Sequence, residues 1–145
     1  MAEVTAIAEK IIDKPAKQVQ AALADYAGTR AKILPKNYSD YEVREGGLGA
    51  GTKVHWTLRA TKKRVRDCLM TVTEPSPGTL VESDANSTMV TTWTVRPEGE
   101  SASKVVVRTT WAGAGGVAGF FEARFAPLGL RRIHEQTLER LAATV

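Results

Sequence analysis

The sequence predicts an α+β fold: a curved antiparallel β-sheet wrapped around a long C-terminal α-helix, with two short helices after strand 1. Three observations carry that expectation. Helical spacing follows a brief extended opening. The period then changes to two between Pro35 and Ala112, broken repeatedly by Gly, Pro and Asn turns. Finally it returns to helical spacing through to Val145.

Residues 4–12 mix Val, Ala, Ile and Thr and read as the first strand. Asp13 is placed to cap a helix whose first turn tolerates Pro15, because the missing N–H would have no helical partner there. Val19, Ala22, Leu23 and Tyr26 recur at helical spacing over residues 16–26, and Gly28 ends that helix. A second helical turn over residues 29–34 stops at Pro35. Tyr41 and Val43 then alternate with charged residues, and glycines at 46, 47, 49 and 51 form a loop. Val54, Trp56 and Leu58 alternate with Lys53, His55, Thr57 and Arg59 in the clearest strand of the chain. Further strands are expected near residues 63–74, 79–83, 87–96 and 104–112, an antiparallel meander. Residues 113–119 read as a flexible hinge. The amphipathic run Leu130–Val145 follows Pro127 and Gly129, where a kink or short break is expected. One domain over residues 1–145 accounts for the whole chain.

Alternation assigns the strand faces. Val54, Trp56 and Leu58 point inward, as do Met89, Thr91, Trp93 and Val95, and Val105, Val107, Thr109 and Trp111. All three tryptophans therefore face inward, and Phe121 and Phe125 approach from the helix side. Such a set can be a plain core. It can equally wall a ligand pocket, because Thr91 and Thr109 interrupt it with hydrogen-bonding groups, as in sites that are mostly apolar with a few polar points.

Composition narrows the function classes. Hydrophobic residues make up 43% and charged residues 25%, an ordinary globular balance, and no apolar run is long enough to span a bilayer. The opening MAEVTAIAEKII has no basic start, so no secretory signal is expected and a cytoplasmic location is. The lone cysteine, Cys68, leaves no partner for an internal disulfide or a multi-cysteine metal site. Net charge is +4, but the one dense basic run, Lys62 to Arg66, lacks interleaved aromatics, so a solvated hairpin explains it better than nucleic acid. No metal or cofactor motif is present: the glycines at 46–49 precede neither a helix nor a Lys-Ser/Thr pair.

The chain resembles the START-like, helix-grip superfamily (SRPBCC), which includes polyketide cyclase/dehydrase and lipid-transport proteins. The likeness runs through Ile11-Ile12-Asp13-Lys14-Pro15-Ala16, Asp25, the Gly-rich stretch from Glu45 to Thr52, Trp93-Thr94-Val95-Arg96, and Phe125-Ala126-Pro127-Leu128-Gly129-Leu130 leading into the gripped helix. It implies a helix-grip fold and an internal cavity. The aromatic polyketide cyclases of this superfamily carry a pocket-facing Trp-x-Trp-x-Ser-x-Arg strand. The matching positions here are Arg66, Cys68, Met70 and Val72, so both tryptophans and the pocket arginine are replaced. Their pocket methionine and tryptophan have counterparts in Met89 and Trp93.

A binding or carrier protein for a hydrophobic small molecule (lipid, polyketide-like aromatic or quinone) is the expected function. Its candidate lining is Trp56, Arg66, Cys68, Met70, Met89, Thr91, Trp93, Val107, Thr109, Trp111, Phe121 and Phe125. A polyketide cyclase/dehydratase-type enzyme is the alternative and requires a polar group deep in the pocket. A protein-interaction module with a collapsed cavity is the third reading, favoured by a pocket below about 300 Å³. No catalytic residue is assigned. His55 alternates outward, and His134 either touches the pocket mouth or sits on the helix flank, with the flank expected. Cys68 reads as buried and inert. Arg66 either meets a ligand anion at one end of the pocket or reaches water, with Asp67, Glu82 and Asp84 as candidate surface partners.

Overall fold

The computed structural model describes residues 3–60, 64–113 and 116–145, with side chains of the last stretch from residue 127 onward. The order is β1 (Glu3–Ile12), α1 (Ala16–Ala24), α2 (Thr29–Lys32), β2 (Tyr38–Glu45), β3 (Lys53–Arg59), β4 (Val65–Ser76), β5 (Thr79–Asp84), β6 (Val90–Pro97), β7 (Ser103–Ala112) and α3 (Gly116–Thr144). The seven strands form one antiparallel sheet in the order β1-β7-β6-β5-β4-β3-β2. Each consecutive pair from β2 to β7 is a hairpin neighbour. β1 returns to the far edge beside β7 with an unbroken ten-residue register from Glu3↔Ala112 to Ile12↔Ser103. This is the helix-grip arrangement.

One sheet face is covered. Val54, Trp56 and Leu58 of β3, Trp93 and Val95 of β6, Met89 just before it, and Val105, Val107 and Trp111 of β7 are all buried, as alternation requires. On α3, Leu130, Ile133, His134, Thr137, Leu138 and Leu141 form the buried stripe. α3 remains helical through Pro127 and Gly129 rather than breaking there, and its helical turns begin at Gly116, inside the expected hinge.

Two local expectations are corrected. Asp13 does not cap α1: the N-cap residue is Pro15, and no side chain bonds the first turn. α1 also stops at Ala24, leaving Tyr26 outside the helix. The carboxylate of Asp25 instead accepts hydrogen bonds from the backbone N–H groups of Gly28 and Thr29, each at 3.1 Å. Those bonds satisfy donors at the start of α2, a four-residue helix too short to hold itself. The next residue, Arg30, is thereby aimed inward.

Gly78 closes the β4–β5 turn at φ +82°, where an added Cβ would lie 2.9 Å from the Val95 carbonyl oxygen and 2.8 Å from Gln20 Nε2. Gly49 has a comparable φ of +58° with nothing within 4 Å. Gly49→Ala should therefore cost only the backbone strain of about 1–2 kcal/mol, and Gly78→Ala should cost about 1 kcal/mol more. Urea unfolding of the two variants side by side checks this.

Candidate functional site: a polar cluster under the gripped helix

Where α3 crosses the sheet, the inner face is not purely apolar. Arg30 is 3% exposed and Glu82 is 1% exposed, and the Arg30 Nη2 to Glu82 Oε2 distance is 2.7 Å. Arg30 Nη1 donates to the Leu23 carbonyl at 3.1 Å. The guanidinium carbon lies 4.5 Å from the centre of the Tyr26 ring and 4.8 Å from that of Trp93, so the cation sits over two aromatic faces. Glu82 also accepts from Tyr26 Oη at 2.6 Å and from Trp93 Nε1 at 3.2 Å. Burial works against the guanidinium charge, but the adjoining carboxylate outweighs it, so Arg30 stays firmly cationic. Burial, helped by Glu82, pushes the Tyr26 hydroxyl far above its usual range, so it remains a neutral donor.

A second polar chain adjoins the first. Thr91 Oγ1 and Thr109 Oγ1 lie 2.7 Å apart, and Thr109 Oγ1 lies 2.8 Å from His134 Nε2. His134 is 4% exposed. Burial, with a smaller push from the Arg30 charge, lowers its pKa to about 4, so the ring is neutral at physiological pH. Two hydrogen-bond directions are open to a neutral ring: Thr91 to Thr109 to Nε2, or the reverse. The ring of His134 also meets Trp93 edge-on at 6.3 Å.

Arg30, Glu82, Thr91, Trp93, Thr109 and His134 line an internal space together with Leu34, Tyr38, Trp56, Leu58, Met70, Met89 and Leu130. Trp56 is held there by stacking on Tyr41 and by an edge contact from Tyr38. The free volume of this space is about 20 Å³, room for roughly one water. The Nε of Arg30 is buried with no hydrogen-bond partner among the described residues. Toward the surface a second space of about 40 Å³ is lined by Ala60, Arg64, Arg66 and Trp111, again with Leu58, Met89 and Leu130.

Of the residues expected to line a pocket, Trp56, Met70, Met89, Thr91, Trp93 and Thr109 meet at the inner space. Arg66 and Trp111 meet at the outer one. Cys68 and Val107 are buried core residues that line neither. Burial raises the Cys68 thiol to about 12, which keeps it protonated. Phe121 and Phe125 lie outside the residues whose side chains are described.

Three expectations are overturned. Glu82 is no surface partner of Arg66; it is the buried counter-ion of Arg30. Asp84 is also mostly buried, accepting from the Leu69 and Asn86 backbone N–H groups and from Ser87 Oγ. His134 is not on the helix flank but on the buried stripe. His55 does face outward, its ring nitrogens directed at the Asp40 carbonyl and the Asp67 carboxylate.

Sequence reasoning passed over Arg30 altogether. Val72 of β4 is a buried apolar core residue, and the buried guanidinium of this chain comes from α2. The His134 signal was present, since the residue stands four after Leu130, four before Leu138 and seven before Leu141.

The model of the family described as "Polyketide cyclase / dehydrase and lipid transport" matches residues 1–145. The chain belongs to that family. Among solved structures, this family member is similar to the KanY protein, at 51% identity over 99% of this chain and 97% of that one, with a TM-score of 0.89. The Zhui aromatase/cyclase from a Streptomyces species shares its fold at 12% identity over 98% and 93% of the two chains, with a TM-score of 0.75. So does norcoclaurine synthase from Thalictrum flavum in complex with dopamine and hydroxybenzaldehyde, at 14% identity over 98% and 86%, with a TM-score of 0.68. No curated protein matches the chain. Among the described residues no helix is long and apolar enough to cross a membrane, and no group of three His, Cys, Asp or Glu side chains is placed to hold a metal ion.

Proposed function

We propose that this family member binds a small, mostly apolar molecule (a lipid, a polyketide-like aromatic or a quinone) between the sheet and α3. The molecule's oxygen-bearing end rests on Arg30, Thr109 and His134. The observation that carries this reading is the Nε–H of Arg30, a buried donor without an acceptor among the described residues, set beside the aromatic faces of Tyr26 and Trp93. Leaving such a donor without a partner costs about 1–3 kcal/mol, and an acceptor oxygen on a ligand removes that cost. The aromatic lining of Trp56 and Trp93 suits a flat ligand. Family membership and a fold shared with an enzyme crystallised with two small aromatics agree with this assignment.

Free volume by itself favours the third reading, since the inner space admits about one water. The polar cluster argues against a collapsed, purely structural core. Replacing a buried ion pair by apolar side chains of equal volume is often neutral or stabilising, so stability alone does not account for the Arg30–Glu82 pair. Ligand entry on this reading requires α3 to part from the sheet.

The enzymatic reading also has an observation in its favour, the polar groups deep inside. On that reading the neutral ring of His134 takes a proton from a carbon beside a carbonyl, and the enolate charge left on the carbonyl oxygen is held by Arg30. Its lowered pKa makes it a weak base, which favours binding over catalysis.

Native mass spectrometry of the purified protein, with solvent extraction of what co-purifies, is the direct test. Trp56, Trp93 and Trp111 provide a parallel readout, because apolar probes that enter should quench their fluorescence. A strictly ligand-free mass together with unquenched tryptophans would count decisively against the proposal.

A further inference from the structure

Tyr38 and Tyr41 both reach Trp56, the first edge-on and the second stacked. They stand three apart on β2, and a regular strand sends residues three apart to opposite faces. A bulge resolves the conflict. Tyr38 pairs with Leu58, Ser39 with Thr57 and then Glu42 with His55, so Asp40 and Tyr41 together stand opposite Trp56. Asp40 takes the left-handed φ of +54°, which a residue with a side chain holds only against strain.

That bulge is held from the outer face of the sheet. Thr57 Oγ1 donates to Asp40 Oδ2 at 3.2 Å, and Ser39 Oγ reaches the same oxygen at 3.5 Å. The His55 ring meets the Asp40 carbonyl through Nδ1 at 2.9 Å and the Asp67 carboxylate of β4 through Nε2. A carbonyl and a carboxylate only accept, so both ring nitrogens must carry hydrogen for both bonds to form. A neutral ring has one N–H. It keeps the charge-assisted bond to Asp67 and turns a lone pair toward the Asp40 carbonyl. The other charged groups near the ring are Glu42, opposite it on β2, and Arg44, which pair with each other at 3.4 Å. Leu69 is the residue opposite His55 on β4, and Lys53, farther along β3, reaches Glu45.

We propose that His55 is a positioning residue for the inner space: acting through the Asp40 bulge, its doubly protonated ring seats Tyr38 and Tyr41 against Trp56. Tyr38 and Trp56 line that space, and the Tyr41 hydroxyl donates to the carbonyl of Tyr26, whose own hydroxyl bonds Glu82. Loss of the ring proton frees the Asp40 carbonyl, relaxes the bulge and loosens this aromatic wall. The Asp67 carboxylate and then the Asp40 carbonyl raise the pKa of His55, which puts the change on the neutral-to-alkaline side. His134, with a pKa of about 4, is neutral throughout that range, and Cys68 and Tyr41 keep their protons up to about 12.

Nuclear Overhauser contacts between the Tyr38 and Tyr41 rings and the Trp56 indole, measured at about pH 5.5 and about pH 9, test this without a ligand. They report distance and do not respond to charge alone. In wild type they should weaken about threefold at the higher pH, as the bond to Asp40 is lost. H55V, which keeps a strand-forming residue on β3, should show the weakened contacts at both pH values. D67N should keep the strong contacts at both, because its amide can donate to Nε2 and leave Nδ1–H on the Asp40 carbonyl. Circular dichroism checks that each variant folds, and D67N decides alone if H55V does not. Contacts that persist at pH 9 in wild type while His55 titrates, or that weaken in D67N as they do in wild type, would overturn the inference. One consequence rests on the binding assignment above: 2-acetylnaphthalene should bind wild type about threefold more weakly at the higher pH, and D67N equally at both. Failure of this probe to bind at either pH counts against that assignment, whereas the ring contacts decide the role of His55.

Discussion

Glu82→Ala is expected to destabilise the protein by about 3–5 kcal/mol, because it leaves the Arg30 charge buried without its counter-ion. In a chain of this length that corresponds to a fall in melting temperature of roughly 10 °C. The loss has three components: the ion pair at 2.7 Å, the Tyr26 hydroxyl at 2.6 Å and the Trp93 indole N–H at 3.2 Å, all converging on one carboxylate. Arg30→Met alone should also destabilise, since it leaves a buried carboxylate with only neutral donors. The double substitution of Arg30→Met with Glu82→Leu should be less damaging than the sum of the two singles, because the buried charges are removed together. Urea unfolding of the four proteins gives the coupling directly. Strict additivity would show that the two side chains do not act as a pair. The same double variant separates stability from function. If the cluster exists to hold a ligand, a protein that regains its stability should still bind oxygen-bearing apolar probes poorly.

The second large effect is a loss of stability in mild acid set by His134. Its folded pKa is lowered to about 4, chiefly by burial and then by Arg30, against about 6.5 in the unfolded chain. Between those values the unfolded chain binds more protons than the folded one, so stability falls as pH drops from about 6.5 toward 4. The full difference is about 3 kcal/mol, present at neutral pH and lost across that window. His134→Gln should flatten this part of the profile while keeping a side chain able to reach Thr109. Urea midpoints at pH 7 and pH 4.5, compared between wild type and variant, measure it, and identical slopes would contradict it. His55 has the opposite sign. Its pKa is raised, first by the Asp67 carboxylate and then by the Asp40 carbonyl. Its contribution is therefore present below about pH 6.5 and lost as pH rises through its folded value, so His55→Gln should alter the alkaline side of the profile instead.

The sheet was legible because one of its faces is buried. Where Val54, Trp56 and Leu58 alternate with polar residues, a period of two can be satisfied by only one orientation of the strand. β5 offers no such signal: Leu80 and Val81 are adjacent apolar residues, and Glu82 follows as an apparent surface charge. Only its pairing resolves the face, for Leu80 lies opposite Trp93 and Glu82 opposite Thr91, both inward. Had that register been inferred from the intervening turn, Glu82 would have been placed inside.

The sequence by itself therefore determined the element order, the inward tryptophans and threonines, and the apolar stripe of α3. Those features are periodic, and burial of one face leaves a periodic trace along a single segment. The tertiary structure alone decided that Arg30 meets Glu82, 52 positions away, and that His134 meets Thr109 across 25. Such pairings are aperiodic. A four-residue helix pinned by Asp25 and a strand with no clean alternation carry no local record of which partner closes each buried hydrogen bond.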